Sequence, residues 1–305
     1  MNIVAGSRGS KLALTQTDGV IQKLKQIVED IEVSSKIIKT TGDKIADQHI
    51  FSISGEGAFE KEVNIAVAKG EIDFAVHSMK DLPIEYNNNI TIAAVPKRES
   101  PYDTLVSNSG YDIKEIPEGT IVGTGSPRRK AQVRHLRPDL NIKSIRGDID
   151  TRIMKLDEGL YDAIILAESG LNRLNINKKT KRLPPKDFPA APGQGALAIT
   201  IRKDRNDLMK MFNHINHFQS MVEISAERTF LSEIGGGCKV PIGALAMSKD
   251  NKLSMYAMIL SFDGQKRFHS TFHGTPDNPE EVGMKVAEDI KKESGDLLKM
   301  VKHIE

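Results

Sequence analysis

The sequence predicts an α/β chain: two α/β domains of similar build, then a small C-terminal α+β domain. Three observations carry this. Short apolar strands alternate with amphipathic helices through the first two thirds. GEIDFAV (70–76) is echoed by GLYDAII (159–165), each after an amphipathic helix and ahead of a polar turn. Two proline-marked stretches, PKRESPYD (96–103) and PPKDFPAAPGQG (184–195), read as crossovers by which the chain leaves its first domain and returns. The expected domains are 1–96 with 195–214, 100–190, and 217–305. A length of 305 residues suits two or three domains.

The elements follow in order. NIVAG is a short apolar strand, and 10–28 is a helix with Leu12, Val20, Leu24 and Ile27 on helical spacing. Residues 33–39 read as a strand. The stretch 40–58 is polar, glycine-marked and aperiodic, a length that suits a lid or binding segment. Phe59, Val63, Ala66 and Val67 mark a helix before the first echo strand, and Ile149, Ile153 and Leu156 mark one before the second. In the last third, 218–234 is a helix stopped by a glycine run. LSMYAMILSFDGQKRFHSTFH is a hairpin about Asp263 and Gly264. Asn278-Pro279-Glu280-Glu281 is a cap, an N1 proline and an acidic first turn opening a final helix.

Composition narrows the function. The chain is 39% hydrophobic and 28% charged, with 43 basic and 41 acidic residues. Nothing in that balance calls for nucleic acid, and no apolar run has the ~18 residues of a membrane span. The opening MNIVAGSRGSKLAL lacks the pattern of a secretory signal, and the single cysteine, Cys238, forms no internal disulfide, so a cytoplasmic setting is expected. No Cys/His cluster has metal spacing, so no metal is expected.

The charge is unevenly spread. Residues 128–152 hold eight Lys/Arg and three Asp, a net +5. In VGTGSPRR, Ser126 suits the N-cap of a helix whose first residue is Pro127. Free N–H groups at such a helix start, with Arg128 and Arg129, read as an anion site, although a solvated basic helix face would show the same residues. Arg146 and Arg152 lie on the next strand-to-helix turn, SIRGDIDTR, and Arg8 and Ser10 on the first, AGSRGSKLA. Turns of this kind gather at the carboxyl ends of strands in open sheets, where ligands bind. Several arginines imply a ligand with several negative charges, a phosphate or a polycarboxylate. A fourth turn, AVHSMKDLP, delivers Ser78, Lys80 and Asp81. An Asp among cations can steady a developing positive charge or move a proton. A helix cap or surface ion pair would use the same residue, and His77 reads as packed at the strand end.

Together, SRGSKLAL, HSMKDLP, VGTGSPRR, IRGDIDTR, YDAIILA, PAAPGQGALAI, ERTFL and GGGCKVPIGA resemble the hydroxymethylbilane synthase (porphobilinogen deaminase) family, in order and across nearly the whole chain. The resemblance implies two periplasmic-binding-protein-like α/β domains plus the small third one. It implies a transferase of tetrapyrrole (haem) biosynthesis that joins four porphobilinogen molecules on a covalent dipyrromethane primer and releases the linear product with water. One dipyrromethane per chain would be held by Cys238 as a thioether. Local chemistry at that thiol is mixed: Lys239 favours thiolate and the preceding helix end opposes it.

By the same resemblance Asp81 is the catalytic residue. Lys80, Asp81, Thr124, Ser126, Arg128, Arg129, Arg146 and Arg152 contact the cofactor, and Arg8, Ser10, Gln16, Arg146, Arg152 and Arg173 contact substrate carboxylates. A monomer with no nucleic-acid or membrane partner is implied. Two positions depart from the family pattern: Glu56 stands where a lysine is common, and Asp148 where an asparagine is, so no ligand contact is carried to Asp148. A non-catalytic two-lobed anion-binding protein would show the same arginines. A nucleic-acid binder would have only five Tyr, ten Phe and no Trp for stacking.

Overall fold

The computed structural model describes residues 1–40, 60–84, 87–235 and 240–302. The chain divides into two compact units, 1–99 with 196–221 and 100–195 with 222–305.

The first unit is built on a five-stranded sheet. Strand β1 (Asn2–Ser7) is followed by helix α1 (Lys11–Ile27) and β2 (Glu32–Ile37). Helix α2 (Lys61–Ala68) leads to β3 (Phe74–Ser78), a single 3-10 turn (Met79–Asp81) and β4 (Ile90–Ala94). The returning chain adds β10 (Leu197–Arg202) and α6 (Asn206–Asn213). The strand order is β2-β1-β3-β10-β4; β1 pairs in parallel with β2 and β3, whereas β10 runs antiparallel to β3 and β4. Helices cover both faces, so alternate side chains of one strand reach different cores. Ala5, Phe74 and Ile201 meet Leu24 of α1 and Phe212 of α6 on one face, and Ala75 and Ile90 meet Val63 and Val67 of α2 on the other. The Phe74 and Phe212 rings pack edge to face at 4.9 Å.

The second unit repeats this plan. Its strands are β5 (Asp103–Ser107), β6 (Ile121–Gly123), β7 (Asn141–Lys143), β8 (Ala163–Ala167) and β9 (Thr180–Arg182). Between them lie α3 (Pro127–Leu136), α4 (Ile149–Asp157) and α5 (Glu168–Arg173). The order is β7-β6-β8-β5-β9, with β6 parallel to β7 and β8 and with β5 antiparallel to β8 and β9. The two echo strands, β3 and β8, therefore hold the same central place. In each sheet the antiparallel fourth strand is the one that follows a crossover.

The C-terminal part is α+β. Helix α7 (Phe218–Ile234) ends at Gly235, and a meander of β11 (Ile242–Lys249), β12 (Lys252–Leu260) and β13 (Arg267–Gly274) packs against α8 (Pro279–Lys302). The turn at Gly264 falls as the sequence predicts. Strand β11 was not anticipated; it joins β12 through Asp250 and Asn251, both at positive φ, as a tight hairpin turn requires. This part has its own core, including Phe230, Ile242, Met255, Ile259 and Ile290.

Strand β11 docks closely on the second crossover. Ala244 N–H donates to Ala190 O at 2.8 Å, and a Cβ on Gly243 would lie 2.4 Å from Pro189 O. Gly243→Ala is expected to cost about 1–3 kcal/mol through forced backbone displacement, measured as a lower thermal midpoint. An unchanged midpoint would remove that close approach from the account.

Candidate functional site

The predicted residues form two groups, one in each unit. In the first, Arg8 and Ser10 follow β1. Ser10 caps α1, its Oγ accepting Ala13 N–H at 3.3 Å. Gln16, buried one turn on, donates from Nε2 to Ser78 Oγ at 3.0 Å and so ties α1 to the end of β3. Gln16 thus braces the turn.

The turn Met79–Asp81 is fixed by its apolar members. Met79 and Leu82 are buried, and Met79 N–H donates to Ala196 O at 3.0 Å. Anchoring those two leaves Lys80 half-buried and Asp81 with a water-accessible face. The Asp81 carboxyl is raised above the ordinary carboxylate range. Desolvation by the surrounding protein is the largest cause; Lys80 opposes it, Glu60 adds to it, and Arg8 and His77 oppose it. His77 is buried, with Nδ1 against Glu60 and Nε2 3.0 Å from Thr200 Oγ1. It is packed at the strand end, as its sequence position suggests.

In the second unit, Thr124 is fully buried at the end of β6. Its Oγ1 accepts Ser126 N–H at 3.3 Å, and Ser126 Oγ accepts Arg129 N–H at 3.4 Å, capping α3. The two arginines that follow make interior hydrogen bonds. Arg128 Nη1 donates to Asp103 Oδ2 at 2.7 Å, Gln132 Oε1 at 3.0 Å and Pro189 O at 2.8 Å. Arg129 Nη2 donates to Asp103 Oδ1 at 2.8 Å, and its Nη1 to Ile165 O at 2.9 Å. Burial works to raise the Asp103 carboxyl, but the two guanidiniums prevail and hold it well below the usual range. Arg129 Nε–H is buried without a partner among the described residues.

Arg146 is exposed on the turn before α4, and Arg152 lies in that helix's first turns. Arg152 Nε donates to Gly147 O at 2.7 Å. Gly147 has φ of +109°, and a Cβ there would meet the Thr151 side chain at 2.7 Å, so glycine is required. The Arg152 guanidinium is lowered from its ordinary value, first by desolvation and then by repulsion from Arg129, with Asp148 opposing. Two cations thus share one neighbourhood, and the Asp148 carboxylate acts on Arg152. Arg173 Nη2 donates to Gly195 O at 2.6 Å. Cys238 and Glu56 lie outside the described residues.

Several residues with evident roles were not read from the sequence. Asp103 sits in the first crossover stretch and Gln194 in the second; Gln194 Nε2 donates to Asp103 Oδ1 at 2.8 Å. Buried Glu227 accepts Gly193 N–H at 2.6 Å and Ala246 N–H at 2.9 Å, joining the PGQG turn to β11. The available signal was an acid between apolar neighbours, in SPYDTLV and ISAERTF.

The donor set fits a group with several carboxylates. It combines repelling guanidiniums, a buried N–H without a partner among the described residues and a capped helix start, and no metal-holding cluster occurs among the described residues. The family model described as porphobilinogen deaminase, dipyromethane cofactor binding domain, matches residues 3–210. The corresponding C-terminal-domain model matches 221–292. A probable porphobilinogen deaminase of Hyperthermus butylicus is 41% identical over 96% of this chain and 97% of its own length. Porphobilinogen deaminases of Staphylococcus carnosus (43% identical; 96% of this chain, 95% of its own) and Listeria monocytogenes (42%; 97% and 96%) are similarly related. Among solved structures, a periplasmic binding protein of Salmonella typhimurium aligns at 12% identity over 70% of this chain and 91% of its own, with a TM-score of 0.39, too low to weigh.

Asp103→Asn leaves two buried guanidiniums without a counter-charge and is expected to cost about 3–5 kcal/mol, read from denaturant midpoints. The Asp103 carboxyl is depressed in the folded state, so its contribution is complete above the unfolded value of about 3.9 and is lost as pH falls below it. The gap between the parent and Asp103→Asn should therefore hold constant near neutrality and narrow in acid.

Proposed function

The chain belongs to the porphobilinogen deaminase family, and on that premise we propose the roles of its residues in the family's reaction. That reaction is the hydroxymethylbilane synthase transfer: four porphobilinogen molecules are joined head to tail with loss of ammonia, and the linear tetrapyrrole is released by water. The cofactor is dipyrromethane, and when bound it supplies the nucleophilic pyrrole carbon that receives the first substrate.

Asp81 is the catalytic group. The observation that carries this is its carboxyl, raised yet water-accessible, beside Lys80 and near Arg8 on a turn anchored by Met79 and Leu82. A carboxyl so placed accepts pyrrole N–H groups, offsets the positive charge that develops on the substrate as ammonia leaves, and moves a proton at its Oδ atoms. Arg8, Arg146, Arg152 and Arg173 pair with substrate carboxylates, with Ser10 and Gln16 shaping the first turn. Lys80, Thr124, Ser126, Arg129, Arg146 and Arg152 hold the cofactor's acid arms. Arg128 serves that binding from beneath, by fixing Asp103 and Pro189. Cys238 carries the thioether.

Separate cores favour two further domains, 100–190 and 217–305, beside a first domain of 1–96 with 195–214. We also propose a cytoplasmic monomer without nucleic-acid or membrane partners. No helix among the described residues is long and apolar enough to cross a membrane.

Intact mass before and after incubation with porphobilinogen tests the reading. The parent should carry a dipyrromethane on the Cys238 peptide and then gain one deaminated substrate per step. Cys238→Ala should carry no adduct, and an adduct on it would move the anchor elsewhere. Asp81→Asn should fold and keep the cofactor while losing turnover by about 10²–10⁴-fold; normal turnover would exclude Asp81 from the chemistry. Arg129→Ala should lower cofactor occupancy, whereas full occupancy and normal kinetics would remove it from the binding set.

A further inference from the structure

Glu60 stands immediately ahead of α2 at its N-cap position, yet its side chain makes no capping bond there. It is only 5% exposed. Its Oε2 meets His77 Nδ1, and its Oε1 lies 4.0 Å from Arg8 Nη1. His77 in turn contacts Thr200 on β10 through its other ring nitrogen. One buried carboxylate thus touches the last turns of β3 and reaches the guanidinium that follows β1, the two segments carrying Asp81 and Arg8. A carboxylate buried this deeply persists only where it is paired and hydrogen-bonded, so its position is set by Arg8 and His77 and sets theirs.

We propose that Glu60 is a positioning residue for the reaction, holding Arg8 and His77 in place and setting the charge around Asp81. The inference rests on the assignment of Arg8 and Asp81 to substrate. Among the described residues, the charges acting on Asp81 are Lys80 beside it, Arg8 after β1, His77 on β3 and Glu60 ahead of α2. Glu60 adds negative charge to this set and thereby opposes ionisation of Asp81. It also offers Arg8 a resident carboxylate, so the guanidinium is oriented before a substrate carboxylate arrives.

The test is Glu60→Gln in cofactor-loaded enzyme, with loading verified by mass. KM for porphobilinogen should rise about tenfold, the loss of one charge-assisted contact. The acid limb of the kcat profile should move to lower pH, because Asp81 loses a negative neighbour. A purely structural role would lower the thermal midpoint and leave both KM and the acid limb in place, and that result overturns the inference. If Glu60→Gln does not accumulate as holoenzyme, Glu60→Asp replaces it, with charge kept and reach shortened. A raised KM with an unmoved acid limb then supports the inference; an unchanged KM overturns it. Arg8→Ala and Asp81→Asn run in parallel. If Arg8→Ala raises KM and Asp81→Asn abolishes turnover while the Glu60 variants behave as the parent, only the Glu60 inference falls. If Asp81→Asn turns over normally, the underlying assignment falls.

Discussion

The buried carboxylate of Asp103 is the constraint on which the second unit depends. It is fully enclosed, and a charge in that position persists only if its lone pairs are filled. Arg128, Arg129 and Gln194 fill them. Three segments distant in sequence therefore meet at one side chain: the first crossover, the start of α3 and the second crossover. The contact continues outward, since Arg128 and Gln132 both bond Pro189 O, and Pro189 backs onto Gly243 of β11. Strand β11 is thus tied to the helix that carries Arg128 and Arg129. Glu227 repeats the device, joining the Gly193 turn to β11 through two backbone N–H groups.

The two aspartates occupy opposed electrostatic environments. Asp103 is enclosed and held ionised by two guanidiniums, so it serves as a fixed counter-charge. Asp81 is also desolvated, but its partners are fewer and Glu60 adds like charge, so its carboxyl is raised and lies nearer to proton exchange. Groups with such opposed environments divide structural from acid–base work. A similar division applies to the arginines. Arg128 makes interior contacts with Asp103, Gln132 and Pro189, whereas Arg152 is destabilised by burial and by Arg129.

Much of this was legible in local patterns. Ser126 announces a helix cap because a hydroxyl at that spacing satisfies an orphan N–H, and it does so. The echo of GEIDFAV and GLYDAII marks the central strand of two like-ordered sheets, since a strand buried on both faces must read as continuous apolar sequence. The ordered motifs carried the family, and with it the cofactor and the reaction. Strand β11 was less legible: its glycine and alanine content weakens strand propensity, and docking on Pro189 and Ala190 compensates.

The sequence by itself determined the α/β alternation, the helix starts and the family, because each follows from nearest neighbours or from motifs in order. Only the tertiary structure decided which arginine faces inward, that Asp103 joins both crossovers, and that Glu60 reaches Arg8 and His77. Those pairings span 17 to 91 residues of chain. A buried charge selects its partner by proximity in the folded chain, and no local sequence pattern specifies that proximity.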